Sequence, residues 1–318
     1  MLKRSSIRKI CLGTFCLLLL LILYLFPKVH ETKNVITPKT TYTISPVSDT
    51  IYLIDKSNYV ARINISLSSK EPVKKALEII EYLTIDGEYS TLLPNGFRSI
   101  IPSGTKVLSS DLSDGNFKIN FSSEFLNVDP KDEMKLIESL TYSLTTINEI
   151  DSITILVNGT ILNKLPTSKD FLPNPIDRSF GINKKYDISN IKGTTKTTMY
   201  YLSKDDDFYY YVPVTKVSND TTPKIEVIIK ELSTSPIYET NLMSYLNSEA
   251  TLQNYELLDK EMNIDFNSAI LSDITKEDIL EEVTYAINLS IKDNYDVDSV
   301  MYTVDNKKIA TFNIKNLE

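Results

Sequence analysis

The chain has no Trp, one His, two Cys and eight Gly in 318 residues. At the usual ~7% usage, about twenty-two glycines would be expected. The reactive residues sit together: Cys11, Cys16 and His30 all precede Glu31. From Glu31 to Glu318 there is no imidazole and no thiol. A Ser-His-Asp triad, a Cys-His dyad, a zinc site of Cys or His ligands, an iron–sulfur cluster and a haem His ligand are therefore excluded from that region. The last glycine is Gly193, so residues 194–318 carry no Gly-rich phosphate loop. Disulfides are excluded as a source of stability there. What is present is 42% hydrophobic and 24% charged residues, enough apolar mass for genuine cores. The length fits about two domains on a ~150-residue prior.

Residues 1–9 hold Lys3, Arg4, Arg8 and Lys9 and no acid. Ile10 to Phe26 then carries no charge. As a helix, that run is about 25 Å long, slightly short of a ~30 Å hydrocarbon core. No small-x-small cleavage site follows it. The run reads as an uncleaved transmembrane anchor, with a cleaved signal peptide as the alternative. Its basic flank places residues 1–9 in the cytoplasm and the C-terminal ectodomain outside the cell membrane. Cys11 and Cys16 lack a lipobox context and read as small apolar residues of the span. Residues 31–318 hold 29 basic and 42 acidic side chains, a net of −13. That balance argues against nucleic acid or an anionic polymer as a partner.

Residues 27–48 are rich in Thr, Pro and Lys without periodicity and read as a tether. A pattern then occurs twice. In residues 49–162, strands are expected over 50–55 and 61–67, where Ile63, Ile65 and Leu67 alternate with polar residues. A helix is expected from Ser69 to Leu83, capped by Ser69. A hairpin should turn at Asp114-Gly115 between 105–112 and 116–121. Asp129-Pro130 should open a second helix, and a strand over 152–158 should end at Asn158-Gly159. In residues 197–318, strands are expected over 198–203 and 208–214, a helix capped by Thr222, a strand over 261–266, a helix opened by the Thr275–Asp278 capping box, and a strand over 300–304. The landmarks Pro72 and Pro223, Phe121 and Phe266, and Ser152 and Ser299 are 151, 145 and 147 residues apart. Residues 163–196, with Pro166, Pro173 and Pro175, read as an inter-domain segment. The order strand–strand–helix–hairpin–helix–strand predicts an α+β fold: in each copy, a mostly antiparallel sheet with two helices on one face.

Residues 101–105 (Ile-Pro-Ser-Gly-Thr), the Asp114-Gly115 turn, the strand Lys118 to Ser122, Phe125 and the Val157-Asn158-Gly159 strand end resemble the GerMN domain. The resemblance covers about residues 50–162. In the second copy only Asn263 to Asn267 matches well. A chain with an anchor and two such copies is similar to the sporulation and germination proteins of endospore-forming bacteria. The resemblance implies a ring-building-motif-like fold and a scaffold within a transenvelope assembly, with other envelope or sporulation proteins, or further copies of itself, as partners. It supplies no catalytic residues. The family's usual lipoprotein anchor is replaced here by residues 10–26.

The candidate chemistry is thin. Asp205-Asp206-Asp207 could offer oxygen ligands to a hard cation, but it lacks a spaced ligand frame and falls between two strands. Asp111 to Gly115 reads as a turn. Tyr200, Tyr201, Tyr209, Tyr210 and Tyr211 could anchor a partner or a sugar, although strand alternation should bury about half of them. Lys74, Lys75, Arg98 and Lys106 give the first copy basic character and could support head-to-tail contacts. With 42 acids, close carboxylate pairs are inevitable and mark no glycosidase site. No catalytic, cofactor-binding or metal residue is assigned, no cofactor or small-molecule substrate is expected, and the chain is not expected to be an enzyme. The expectation is an anchored, outward-facing scaffold acting in spore formation or germination. An envelope accessory or sensor protein is the alternative.

Overall fold

A computed structural model describes residues 49–318 apart from 207, 235–239, 316 and 318. The expected flank, anchor and tether (1–9, 10–26 and 27–48) lie outside the described residues. No helix among the described residues is long and apolar enough to cross a membrane.

The first copy opens with β1 (Asp49–Ile54) and β2 (Val60–Ile65), paired antiparallel with Ile51 opposite Ile63. Helix α1 (Pro72–Leu83) follows, then β3 (Val107–Ser113), β4 (Asn116–Phe121), α2 (Glu133–Leu144), β5 (Ser152–Val157) and β6 (Thr160–Ile161). The connecting segment holds β7 (Ile176–Asp177) and β8 (Lys185–Asp187). The second copy comprises β9 (Thr195–Asp205), β10 (Phe208–Ser218), α3 (Lys224–Ser233), β11 (Leu252–Leu258), β12 (Glu261–Phe266), α4 (Glu281–Asn294), β13 (Ser299–Val304) and β14 (Lys307–Asn313).

The fold is α+β, but each copy is built on two sheets rather than one, and the main sheet is mixed rather than mostly antiparallel. Strands run in the order β3-β4-β5-β6 in the first copy and β11-β12-β13-β14 in the second. The central pairs are parallel, Phe121 lying opposite Val157 and Phe266 opposite Val304. A helix joins each of these pairs, as adjacent parallel strands require a crossover. The first two strands of each copy leave that sheet and meet in a third. There β10 carries β9 along one edge, while its other edge meets β2 at Tyr211 and β8 at Lys216–Ser218.

This arrangement encloses α2 between β5 and β1, so the expectation of helices on a single face does not hold. Leu136 to Leu144 are buried without interruption, where periodicity showed only one apolar stripe. The extra buried face is hydroxylic. Ser139 Oγ donates to the Tyr52 carbonyl, and Ser143 Oγ accepts the Tyr52 N–H at 2.8 Å. The same enclosure accounts for the tyrosine cluster. Tyr200, Tyr201, Tyr210 and Tyr211 are all buried: α4 and α3 pack on β9, while on β10 Tyr210 meets Phe97 and Tyr211 meets Tyr285.

Several helix starts differ from expectation because the expected caps have better partners. Glu71, not Ser69, caps α1 by accepting from the N–H groups of Val73 and Lys74. The buried Glu78 holds the loop before it, accepting from Ser68 N at 2.8 Å and Ser69 N at 3.2 Å. Asp129 caps only the turn before α2, through Lys131 N. Thr222 donates to Asp220 instead of capping α3, whose N-cap position is Pro223. Thr275 N and Lys276 N bond to Asp273, Glu277 has φ +54°, and α4 begins only at Glu281. A residue in the left-handed region cannot continue a right-handed helix.

The missing glycines of the second copy are replaced without loss of the turns. Asp114-Gly115, at φ +52° and +72°, has its counterpart in Asp259-Lys260, at +45° and +64°. Asn158-Gly159, at +48° and +79°, has Asp305-Asn306, at +50° and +66°. Left-handed lysine is costly and glycine is not, so Lys260→Gly should stabilise the chain by about 0.5 kcal/mol after glycine's larger unfolded-state entropy is set against the relieved strain. A higher denaturation midpoint at unchanged slope is the expected result, and a lower midpoint would contradict the assignment.

Candidate functional site

The two copies meet around a local dyad. Strands β2 and β10 cross antiparallel with Arg62 opposite Tyr211, one residue from Ala61 and Val212, which occupy corresponding places in the two copies, opposite Leu53 and Tyr201. On either side the same contacts recur. Tyr52 N bonds to Ser143 Oγ at 2.8 Å, and Tyr200 N to Ser290 Oγ at 3.0 Å. Thr146 Oγ1 donates to Thr50 O at 3.1 Å, and Asn294 Nδ2 to Thr198 O at 2.7 Å. The hydroxyls of Tyr52 and Tyr200, one from each copy, lie 2.9 Å apart. Each copy thus presents the same surface to the other, an isologous contact made within one chain.

Arg178, from the connecting segment, closes this contact. Its Nε donates to Asp293 Oδ1 at 3.0 Å and its Nη2 to Asp293 Oδ2 at 3.1 Å. Nη2 also reaches the hydroxyls of Tyr52 at 3.1 Å and Tyr200 at 3.0 Å, while Nη1 donates to the carbonyl of Tyr142 at 3.2 Å. The guanidinium carbon stands 4.2 Å from the Tyr142 ring centroid. The Asp293 side chain is 6% exposed and that of Arg178 is 24% exposed. Burial works against the guanidinium charge, yet Asp293 outweighs it and holds Arg178 firmly protonated. Burial, helped by Asp293, pushes the Tyr200 hydroxyl well above its ordinary value. The planar fork of arginine suits this many-sided contact, where a lysine would supply one point charge. Another bond crosses between copies just after β1: the Tyr210 hydroxyl donates to Asp55 at 2.9 Å, and burial raises the Asp55 carboxyl.

The residues singled out by sequence are scattered. Asp205 pairs with Lys56 at 2.7 Å, joining the β9–β10 turn to the β1–β2 turn. Asp206 holds the turn at φ +51°, and Asp207 lies outside the described residues. Asp114 and Gly115 form the hairpin turn that was expected of them. Lys75 is bound to Asp49 at 2.6 Å and Arg98 to Asp132 at 2.9 Å, so half of the basic cluster is engaged within the chain. Thr105, at the end of the Pro-x-Gly-Thr motif, returns both N–H and hydroxyl to the Pro102 carbonyl, with Gly104 at φ +78°. Among the described residues, no group of three His, Cys, Asp or Glu side chains is placed to hold a metal ion. The cluster of Tyr52, Tyr142, Arg178, Tyr200 and Asp293 was not anticipated. Tyr52 and Tyr200 standing 148 residues apart, close to the repeat spacing, was the available signal.

The arrangement fixes one copy against the other, and in the two mixed sheets β3 and β11 are end strands.

Comparison with known proteins agrees with this architecture. The family model described as "Germane: Sporulation and spore germination" matches residues 42–163 and again 198–310. The spore germination protein GerM of Bacillus subtilis (strain 168) is 32% identical over 285 residues, covering 88% of this chain and 77% of that protein. The solved structure of the tandem GerMN domains of the sporulation protein GerM from Bacillus subtilis superposes with a TM-score of 0.74 at 33% identity, covering 82% of this chain and 92% of that one. With two matched copies and a shared tandem architecture, the chain belongs to the Germane family of sporulation and spore germination proteins.

Proposed function

We propose that the chain is a membrane-anchored, extracytoplasmic scaffold of a transenvelope assembly in spore formation or germination, acting by binding rather than by catalysis. Family membership supports the process. The observation that carries the scaffold reading is the dyad-related junction, because a surface that positions partners must itself hold its shape. The basic flank and apolar run of residues 1–26 support the anchor and its orientation. In this reading the span fixes location, residues 27–48 give reach, and the clamped pair of copies presents sheet edges and helix faces to envelope partners.

A strain lacking the protein should grow normally in vegetative culture but yield few heat-resistant, germination-competent spores. A fluorescent fusion followed through sporulation should localise to the developing spore's envelope. Normal spore yield together with normal germination would overturn the proposal.

A further inference from the structure

The free edge at β11 differs from its counterpart in the first copy. Strands β3 and β11 hold the same place, with Ser110 opposite Ile119 and Tyr255 opposite Ile264. Where β3 has Ser110, Leu112 and Ser113, β11 has Tyr255, Leu257 and Leu258. These three are 36%, 48% and 59% exposed. An exposed edge strand with apolar side chains is a template for pairing, and soluble proteins normally blunt such edges with lysine or proline. Strand β11 contains neither. Among the described residues, its only strand neighbour is β12.

Register separates the two sides of this edge. Tyr255 and Leu257 lie opposite Ile264 and Met262, on the side of the buried core. Asn254, Glu256 and Leu258 lie opposite Asp265, Asn263 and Glu261, on the open side. That open side holds a small polar cleft lined by Asn254, Glu256, Asn263, Asp265, Thr303 and Asn306. The carbonyl oxygen of the Asn263 side chain is buried there without a hydrogen-bond partner. An orphan acceptor beside two carboxylates favours a cationic donor. Charge reinforces this at longer range. Residues 197–318 hold 10 lysines and 22 acids, a net of −12, against −6 for residues 49–162.

We infer that β11 is a docking edge for an extended, basic segment of a partner protein, added as a further strand. Alternate side chains of that segment are apolar and cover Tyr255 and Leu257; the others are Lys or Arg and reach Glu256 and the cleft. Main-chain hydrogen bonds supply the pairing and the alternation supplies specificity. A second copy of this chain is disfavoured as occupant, because its residues 197–318 carry the same net −12 and would be repelled. The inference deepens the scaffold reading by naming a surface and the chemistry of its partner.

The test uses the full chain in detergent and the synthetic peptide Lys-Val-Lys-Ile-Lys-Val-Lys, read by amide hydrogen exchange. With the peptide at about ten times its Kd, exchange at residues 252–258 should slow about tenfold, with the protection weakening as salt rises. The peptide methylated on alternate backbone nitrogens should not protect. Neither Glu256→Lys nor Leu257→Lys should respond to the parent peptide. Equal protection by the Glu-Val-Glu-Ile-Glu-Val-Glu peptide, or none from the basic one, would overturn the inference. So would protection already present without peptide that rises with protein concentration, since a second copy would then fill the edge. The deletion strain judges the scaffold reading separately. A spore defect on deletion, restored in full by the Glu256→Lys gene, would sink the docking edge alone.

Discussion

Arg178→Ala should destabilise the paired copies by about 3 kcal/mol. The pair with Asp293 is mostly buried, and removing the guanidinium leaves the carboxylate with only the Tyr200 hydroxyl, at 2.7 Å, and no balancing charge. Stranding a buried charge in this way is what makes breaking such pairs expensive. Arg98→Ala makes the comparison. Its pair with Asp132 has the arginine 45% exposed, and an exposed pair contributes about 0–1 kcal/mol. The double variant Arg178→Met/Asp293→Leu should recover most of the loss, since a well-packed apolar pair often equals a buried ion pair. Urea denaturation of the three variants decides this. Equal, small shifts for Arg178→Ala and Arg98→Ala would show that Arg178 does not hold the junction.

The second large effect concerns the two cores. Phe121 and Phe266 end the equivalent strands β4 and β12, and both are completely buried. Phe121 stacks on Phe125 with ring centroids 4.4 Å apart, and Phe266 stacks on Tyr302 at 6.5 Å. Truncating either to Ala should cost about 3–5 kcal/mol. The junction adds a sharper expectation. If the copies share one sheet and one clamp, Phe121→Ala must also lower the midpoint at which the second copy unfolds, and Phe266→Ala that of the first. Exchange rates of amides in β13 for the first variant, and in β5 for the second, report this directly. A change confined to the mutated copy would show two independent domains.

The repeat was legible because it rests on local pattern. The alternation in residues 261–266 marks β12 to the residue, and the Ser152 and Ser299 landmarks are the first residues of β5 and β13. The apolar face of α4 follows from helical spacing, since Val283, Ala286 and Ile287 are all buried. What escaped depends on distant partners. Arg178 meets Asp293 across 115 residues, and no local pattern encodes that. Strand alternation predicted about half of the five tyrosines in the core, but four are buried, because partners distant in sequence, such as Phe97 on Tyr210 and Tyr285 on Tyr211, cover them. The helix starts were misplaced where Glu71 took the cap of α1, Thr222 turned to Asp220, and Asp273 held Thr275 and Lys276 in a turn before α4. The scarcity of glycine marked the second copy as divergent, yet the left-handed turns survive on Asp, Asn and Lys. Divergence lies instead on the surface, where β11 exchanges two serines for Tyr255 and Leu258.

The central claim is that the two copies form one body. Scanning calorimetry of residues 49–318 tests it most directly. One transition with a calorimetric to van 't Hoff enthalpy ratio of about 1 is predicted. Two resolved transitions, or a ratio near 2, would contradict it.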